Sequence, residues 1–208
     1  LIVRDVVVAL VMPMSILLIV VKFGDRVVAG VISAAWPVIT TQELGFSAQF
    51  YPDWAAVSGI VAAVFGVVIA PLVDRVTAER ALIWGLALKG AVVAGAALLV
   101  DLWVNETVIV IVIFLVFLTS QLLTIATIAL FMNLCAPKVA ATQFAVYMAL
   151  SNLALSTGSL AIGPLDAVLT FEQIFYVVAT VDVLMIVFML RFDLVAHKGR
   201  VEARFGAV

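Results

Sequence analysis

An all-α membrane protein is the fold class this sequence predicts, and three observations predict it. Hydrophobic residues make up 66% of the chain and charged residues 12%, whereas a soluble domain is about half apolar and about a quarter charged. Five stretches, 54–73, 80–100, 107–134, 140–163 and 173–191, are each apolar over roughly the 20 residues that a spanning helix needs. Lipid offers no partner for an open strand edge, so the simplest spanning element is a helix.

The first span is harder to place. Val6 to Thr41 is apolar except around VVKFGDRVVAG, residues 20–30, which reads either as a loop between two spans or as charge carried inside one. After Arg26 only about 15 residues remain before Gln42, several of them polar, too few to cross. One span starting near Met12 also sorts the charges. Arg4, Arg75, Arg80, Lys138, Arg191, Lys198, Arg200 and Arg204 then fall on one side of the membrane. Glu43, Asp53, Asp101, Glu106, Asp166 and Glu172 fall on the other. Lys and Arg favour cytoplasmic loops, so both ends of this segment are expected in the cytoplasm. Two spans in the first region would place Arg4 and Arg75 on opposite sides; a re-entrant break at Gly24 is the alternative. The expected organisation is a cytoplasmic linker over 1–11, a six-helix bundle over 12–192 and a basic cytoplasmic tail over 193–208.

On this topology Lys22 lies about ten residues into its helix, roughly 15 Å deep in a core about 30 Å thick. A charge there costs about 2.5–3.5 kcal/mol on insertion scales, so it needs a reason. Asp25 is three residues on and shares the face of Lys22; Arg26 is four on and lies on the same side. A net positive cluster near mid-membrane suits an anionic cargo group or a proton relay, and a structural ion pair is the bland reading of the same residues. Lys89 is nine residues from Arg80, and Asp182 is nine from Arg191, both counted from a cytoplasmic helix end. They are expected at similar depth, as an ion pair between the third and sixth spans.

Polar stripes mark the fourth and fifth spans. Ser120, Thr124 and Thr127 share one face, with Gln121 beside them; Thr142, Ala145, Ala149, Asn152, Ser156 and Ser159 share another. Such faces line a wet cavity or bond to a neighbouring helix. Gly59/Ala63, Ala62/Gly66 and Gly90/Ala94 read as close packing alone.

The remaining composition excludes more than it suggests. The net charge of −2 says little, because distribution matters more than the sum; no nucleic-acid partner is expected, and one cysteine, Cys135, forbids an internal disulfide. His197 is the only histidine and lies in the tail, so no span carries a His base for serine-protease chemistry. No metal or cofactor motif is present. Two intramembrane aspartates, Asp25 and Asp182, leave an aspartyl protease as the competing enzyme class. Lys22 stands where that family has glycine and competes with the proton sharing such a dyad needs. The chain is therefore read as no enzyme.

APLVDRVTAERALIWG, residues 70–85, resembles the signature loop of the major facilitator superfamily, in which an Asp-Arg pair and a following Arg join the second and third helices of each six-helix half. Asp74, Arg75 and Arg80 take those places. The usual glycine before the pair is replaced by Ala70 and Pro71, and the usual Gly-Arg-Lys run by Thr77-Ala78-Glu79-Arg80. The gating role of the loop passes to Asp74, Arg75 and Arg80 by resemblance only. VVKFGDRVVAGVISAAWPVITTQELGFS is similar to the seventh helix of the muropeptide permeases of the AmpG type, through Lys22, Gly24 and Asp25 and the turn Gly45-Phe46-Ser47. Ala141, Thr142, Gln143, Phe144 and Ala145 resemble the opening of their eleventh helix.

The resemblance covers roughly residues 10–192. It implies one six-helix half of a twelve-helix transporter in the bacterial cytoplasmic membrane, with a missing N-terminal half as partner. It also implies a proton-driven importer of anhydro-muropeptide, or of a siderophore or acyl-CoA. On this basis Lys22, Asp25, Arg26, Gln121 and Asn152 are the expected contacts for cargo and protons, ahead of Lys89 and Asp182. A non-transporting sensor or assembly subunit on the same fold is the alternative from another class.

Overall fold

The computed structural model describes residues 2–206, without the side chains of Ile2 and Asp74. It contains eight α-helices: α1 Ile2–Leu10, α2 Pro13–Val38, α3 Phe50–Val76, α4 Ala78–Leu98, α5 Glu106–Leu134, α6 Ala140–Asp166, α7 Phe171–Met189 and α8 Leu194–Phe205. By length and composition α3 to α7 can each cross a membrane, and the pair α1–α2, bent by 71°, supplies a sixth span.

Helix α2 runs unbroken through Lys22, Gly24, Asp25 and Arg26, so VVKFGDRVVAG is the interior of a helix. Its start is set by Pro13 at the first turn, where the missing N–H would be unpaired in any case. Pro37 removes a donor near its other end. The backbone there widens to a π turn over Ile39–Glu43, and Thr40 donates its hydroxyl to the Trp36 carbonyl at 2.9 Å. Gly45, at φ +69°, then turns the chain out of the helix, where a Cβ would be strained.

The signature stretch is not the loop that its pattern suggests. Helix α3 continues through Pro71 to Val76 and α4 begins at Ala78, leaving Thr77 alone between them. Thr77 makes the turn at φ +86°, a conformation that L side chains rarely adopt. The linker and tail likewise contain helices. Helix α8 opens on Asp193, whose carboxylate accepts from the Ala196 N–H at 2.9 Å.

Around the bundle the helices pack in the order α6, α2, α7, α4, α5, α3. Three apolar clusters fill the interior. One is built on Trp36, Trp103 and Phe175, a second on Leu18, Leu86, Leu130, Phe131 and Tyr147, and a smaller third on Val6, Ala9, Ala136 and Val139. Glu43, Asp166 and Glu172 line one depression at the Trp36 end, which agrees with the placing of these acids at a common end. Long apolar side chains on the outside, such as Ile60, Val64 and Val67 of α3, suit a lipid environment.

The tightest crossing is between α2 and α6, at glycines that small-residue spacing along one helix does not reveal. A Cβ on Gly30 would run into the Leu155 carbonyl, and one on Gly158 into the Val27 carbonyl. The Ser159 hydroxyl donates to the Gly30 carbonyl at 3.3 Å across the same point. Gly158→Ala is therefore expected to force the helices apart and lower stability by about 1–3 kcal/mol. Gly95→Ala, where a Cβ meets nothing within 4 Å, is expected to be neutral or mildly stabilising. Thermal unfolding of the purified variants compares the two.

His197 docks α8 against the bundle. Its Nε2 lies 3.1 Å from the Leu134 carbonyl at the end of α5, and the residue is buried. Burial holds the imidazole below the usual histidine range, and Arg200 acts in the same direction against the Leu134 contact. The docked value is the lower one, so the docking free energy is present above the ordinary histidine pKa and is lost as pH falls through it. A fluorophore on Gly199→Cys in a Cys135→Ser background is expected to gain mobility between about pH 8 and pH 5.5. His197→Gln is expected to remove that pH dependence.

Candidate functional site

Four buried charges form one connected chain across three helices. On α2, Lys22 donates to Asp25 Oδ2 at 2.9 Å, one turn along the same face. From α4, Lys89 donates to Asp25 Oδ1 at 2.6 Å, and its ammonium also lies 2.9 Å from Asp182 Oδ1 of α7. All four residues are less than a tenth exposed. Lys89 is thus shared between two carboxylates, and Asp25 between two ammonium groups. Sequence reasoning treated Lys22–Asp25 and Lys89–Asp182 as separate pairs. The link through Asp25 and Lys89 depends on how α2 and α4 are tilted, which residue spacing does not encode.

The two carboxylates are not equivalent. Both Asp25 oxygens accept aligned hydrogen bonds. Neither Asp182 oxygen does so among the described residues, although the charge contact to Lys89 is short. Asp182 lies close beside Gly90: a Cβ there would sit 3.4 Å from Asp182 Cβ, an ordinary van der Waals contact.

Arg26 stands apart from this chain. It is half-buried and has no ion-pair partner among the described residues. It lines two hollows. The smaller, about 60 Å³, is bounded by Lys22, Thr124, Thr127, Ser151 and Asn152. The larger, about 260 Å³, runs along α2 past Ala29, Ser33 and Trp36, and is closed by Tyr51, Lys89, Phe117 and Ser120. The stripe read from α5 is thus divided, with Ser120 in one hollow and Thr124 and Thr127 in the other.

The remaining expected residues are dispersed. Gln121 packs over Gly66 of α3, where a Cβ would lie 2.6 Å from its amide nitrogen, and it lines neither hollow. Thr142 and Asn152 lie on the exposed face of α6 with Ala145, Ala149 and Ser156. Gln143 is fully buried and closes the α5–α6 turn. It accepts from the Ala136 N–H at 2.9 Å and donates to Tyr147 Oη at 2.6 Å and to the Leu134 carbonyl at 3.3 Å. Arg75 and Arg80 are exposed at the two sides of Thr77; the Asp74 side chain lies outside the described residues. Among the described residues no group of three or more His, Cys, Asp or Glu could hold a metal ion.

Trp36 is the residue that sequence reasoning missed. Its ring packs at 5.3 Å from Phe175 and 5.8 Å from Trp103, and its indole N–H is buried without a partner. At ten residues from Arg26, Trp36 is turned about 80° from it around α2, so no shared face in the sequence announces that both line the larger hollow.

A bundle of long apolar helices with a charge network at its centre and hollows beside it is the build of a membrane transporter. The Major Facilitator Superfamily is matched over residues 15–207, and the chain belongs to that family. No curated protein and no solved structure matches it. Family and fold together make it a multi-pass membrane protein of the secondary-transporter class, with small-molecule cargo.

Breaking the charge chain has a graded cost. Lys89→Met leaves Asp182 without a counter-charge and is expected to cost about 3–5 kcal/mol. Adding Asp182→Leu leaves only the neutral Lys22–Asp25 pair and is expected to recover most of that loss. Thermal unfolding of the single and double variants measures it; a double variant no more stable than Lys89→Met would mean that the two residues are not coupled.

Proposed function

We propose that this chain is part of a proton-coupled importer of an anionic or polar cargo across the bacterial cytoplasmic membrane, working by alternating access. The observation that carries the reading is the connected set Lys22–Asp25–Lys89–Asp182 beside Arg26, which has no ion-pair partner among the described residues. Buried charge in a membrane is retained where ions or charged cargo are handled. Asp25 is the proton-coupling residue. When it is protonated, Lys22 is released to join Arg26 as an anion contact; when it is ionised, the internal pair re-forms and cargo leaves. Asn152 approaches Lys22 and Arg26 across the smaller hollow and contributes a polar contact. Arg75, Arg80 and Asp74 act at the α3–α4 turn as the gate. The resemblance to AmpG-type permeases at Lys22, Gly24 and Asp25 makes anhydro-muropeptide the first cargo to test, with siderophores and acyl-CoA next. The partner is a second six-helix half.

Asp25→Asn keeps the size of the side chain and removes its proton equilibrium. In proteoliposomes or cells with an imposed proton gradient, the variant is expected to equilibrate cargo without accumulating it, so that uptake no longer responds to a protonophore. Gradient-dependent accumulation by Asp25→Asn at the wild-type level would remove Asp25 from the coupling role.

A further inference from the structure

The larger hollow has a chemistry of its own. Arg26 supplies a cation without an ion-pair partner among the described residues, and Trp36 supplies an aromatic wall. Both line the same space of about 260 Å³, with Phe117, Val93 and Val178 as apolar walls. Arg26 and Trp36 are ten residues apart on α2, so their backbones are about 15 Å apart along the axis.

The cations of this hollow set the valence of its occupant. Lys22 lines only the smaller hollow and Lys89 is held by Asp25 and Asp182, which leaves Arg26 as one positive charge of the larger hollow without a counter-charge among the described residues. In a poorly solvated region a single negative charge brings the set to neutrality, and a second would be left unpaired. A guanidinium fork also matches a planar carboxylate with two parallel hydrogen bonds. The volume lies just below the range of drug-sized pockets, too small for a whole disaccharide-peptide.

We infer that the hollow between α2, α4 and α5 binds a small amphipathic monocarboxylate, with its anion on Arg26 and its apolar body against Phe117, Val93 and the ring of Trp36. This rests on the transporter reading for its biological sense, and it narrows the cargo to small monoanions or to a monoanionic end of a larger molecule.

The test uses the protein as purified from its membrane, in nanodiscs, with 4-phenylbutyrate as the probe and calorimetry as the readout. The acid is expected to bind saturably and at least about tenfold more tightly than 4-phenylbutyramide, which has the same shape without the charge, or than the dianion phenylsuccinate. Arg26→Gln is expected to abolish the preference for acid over amide. Trp36→Phe is expected to lower the affinity for both while keeping the preference. Equal binding of acid and amide to the wild-type protein overturns the inference without any variant, and so does an Arg26→Gln protein that still prefers the acid. Counterflow of labelled phenylbutyrate in proteoliposomes separates the two readings. Binding without counterflow leaves the site and removes the transport role; counterflow that is indifferent to Arg26 keeps transport and removes the site.

Discussion

The Asp25 carboxylate accepts from ammonium groups on two helices, and the arrangement of the interior depends on that one acceptor. Water is absent at mid-membrane, so each charge there must find its counter-charge within the protein. Lys22 satisfies this along its own helix, one turn away. Lys89 satisfies it only if α4 is brought against α2, and then Asp182 of α7 must approach the same ammonium. Three helices are thereby fixed in register by electrostatics, whereas apolar side chains alone would tolerate sliding. Gly30 and Gly158 then let α2 press on α6.

The polar groups outside the charge chain mostly serve the backbone. Thr119, Thr124 and Thr127 donate to carbonyls of their own helix, and Gln143 closes the break between α5 and α6. Among the described residues the polar groups left over are the Arg26 guanidinium, the Trp36 N–H, the Asp182 oxygens, the Ser15 and Ser58 hydroxyls and His197 Nδ1, and of these Arg26 stands at a hollow with its charge free. In a medium that penalises unpaired polarity, a leftover donor beside a hollow marks where an incoming molecule would be held.

The six spans were legible in composition, because a bilayer demands long apolar runs and little else satisfies it. The continuity of α2 through its charges was legible too, from the residue count after Arg26 and the separation of bases from acids. The α3–α4 turn was misread because Pro71 and a charged run suggest a loop, while the helical backbone there persists to Val76 and resumes one residue later. Residues 2–10 and 194–205 form helices that charge content alone does not announce. Within the site, equal spacing from Arg80 and Arg191 is enough to set Lys89 and Asp182 at one depth. The contact of Lys89 with Asp25 depends on helix tilt, and the orphaned N–H of Trp36 depends on the whole packed cluster. Neither is written in spacing.

The glycine crossing of α2 and α6 works mechanically as a fulcrum. Lys22 lies eight residues to one side of Gly30 and Trp36 six to the other, or about 12 Å and about 9 Å along the axis. Any rocking of α2 about that point moves its charged arm and its aromatic arm in opposite directions. A tilt of about 5° displaces Lys22 by about 1 Å, comparable to the tolerance of a hydrogen bond. The helix is therefore a first-class lever, whose two ends cannot both tighten on their neighbours in one stroke.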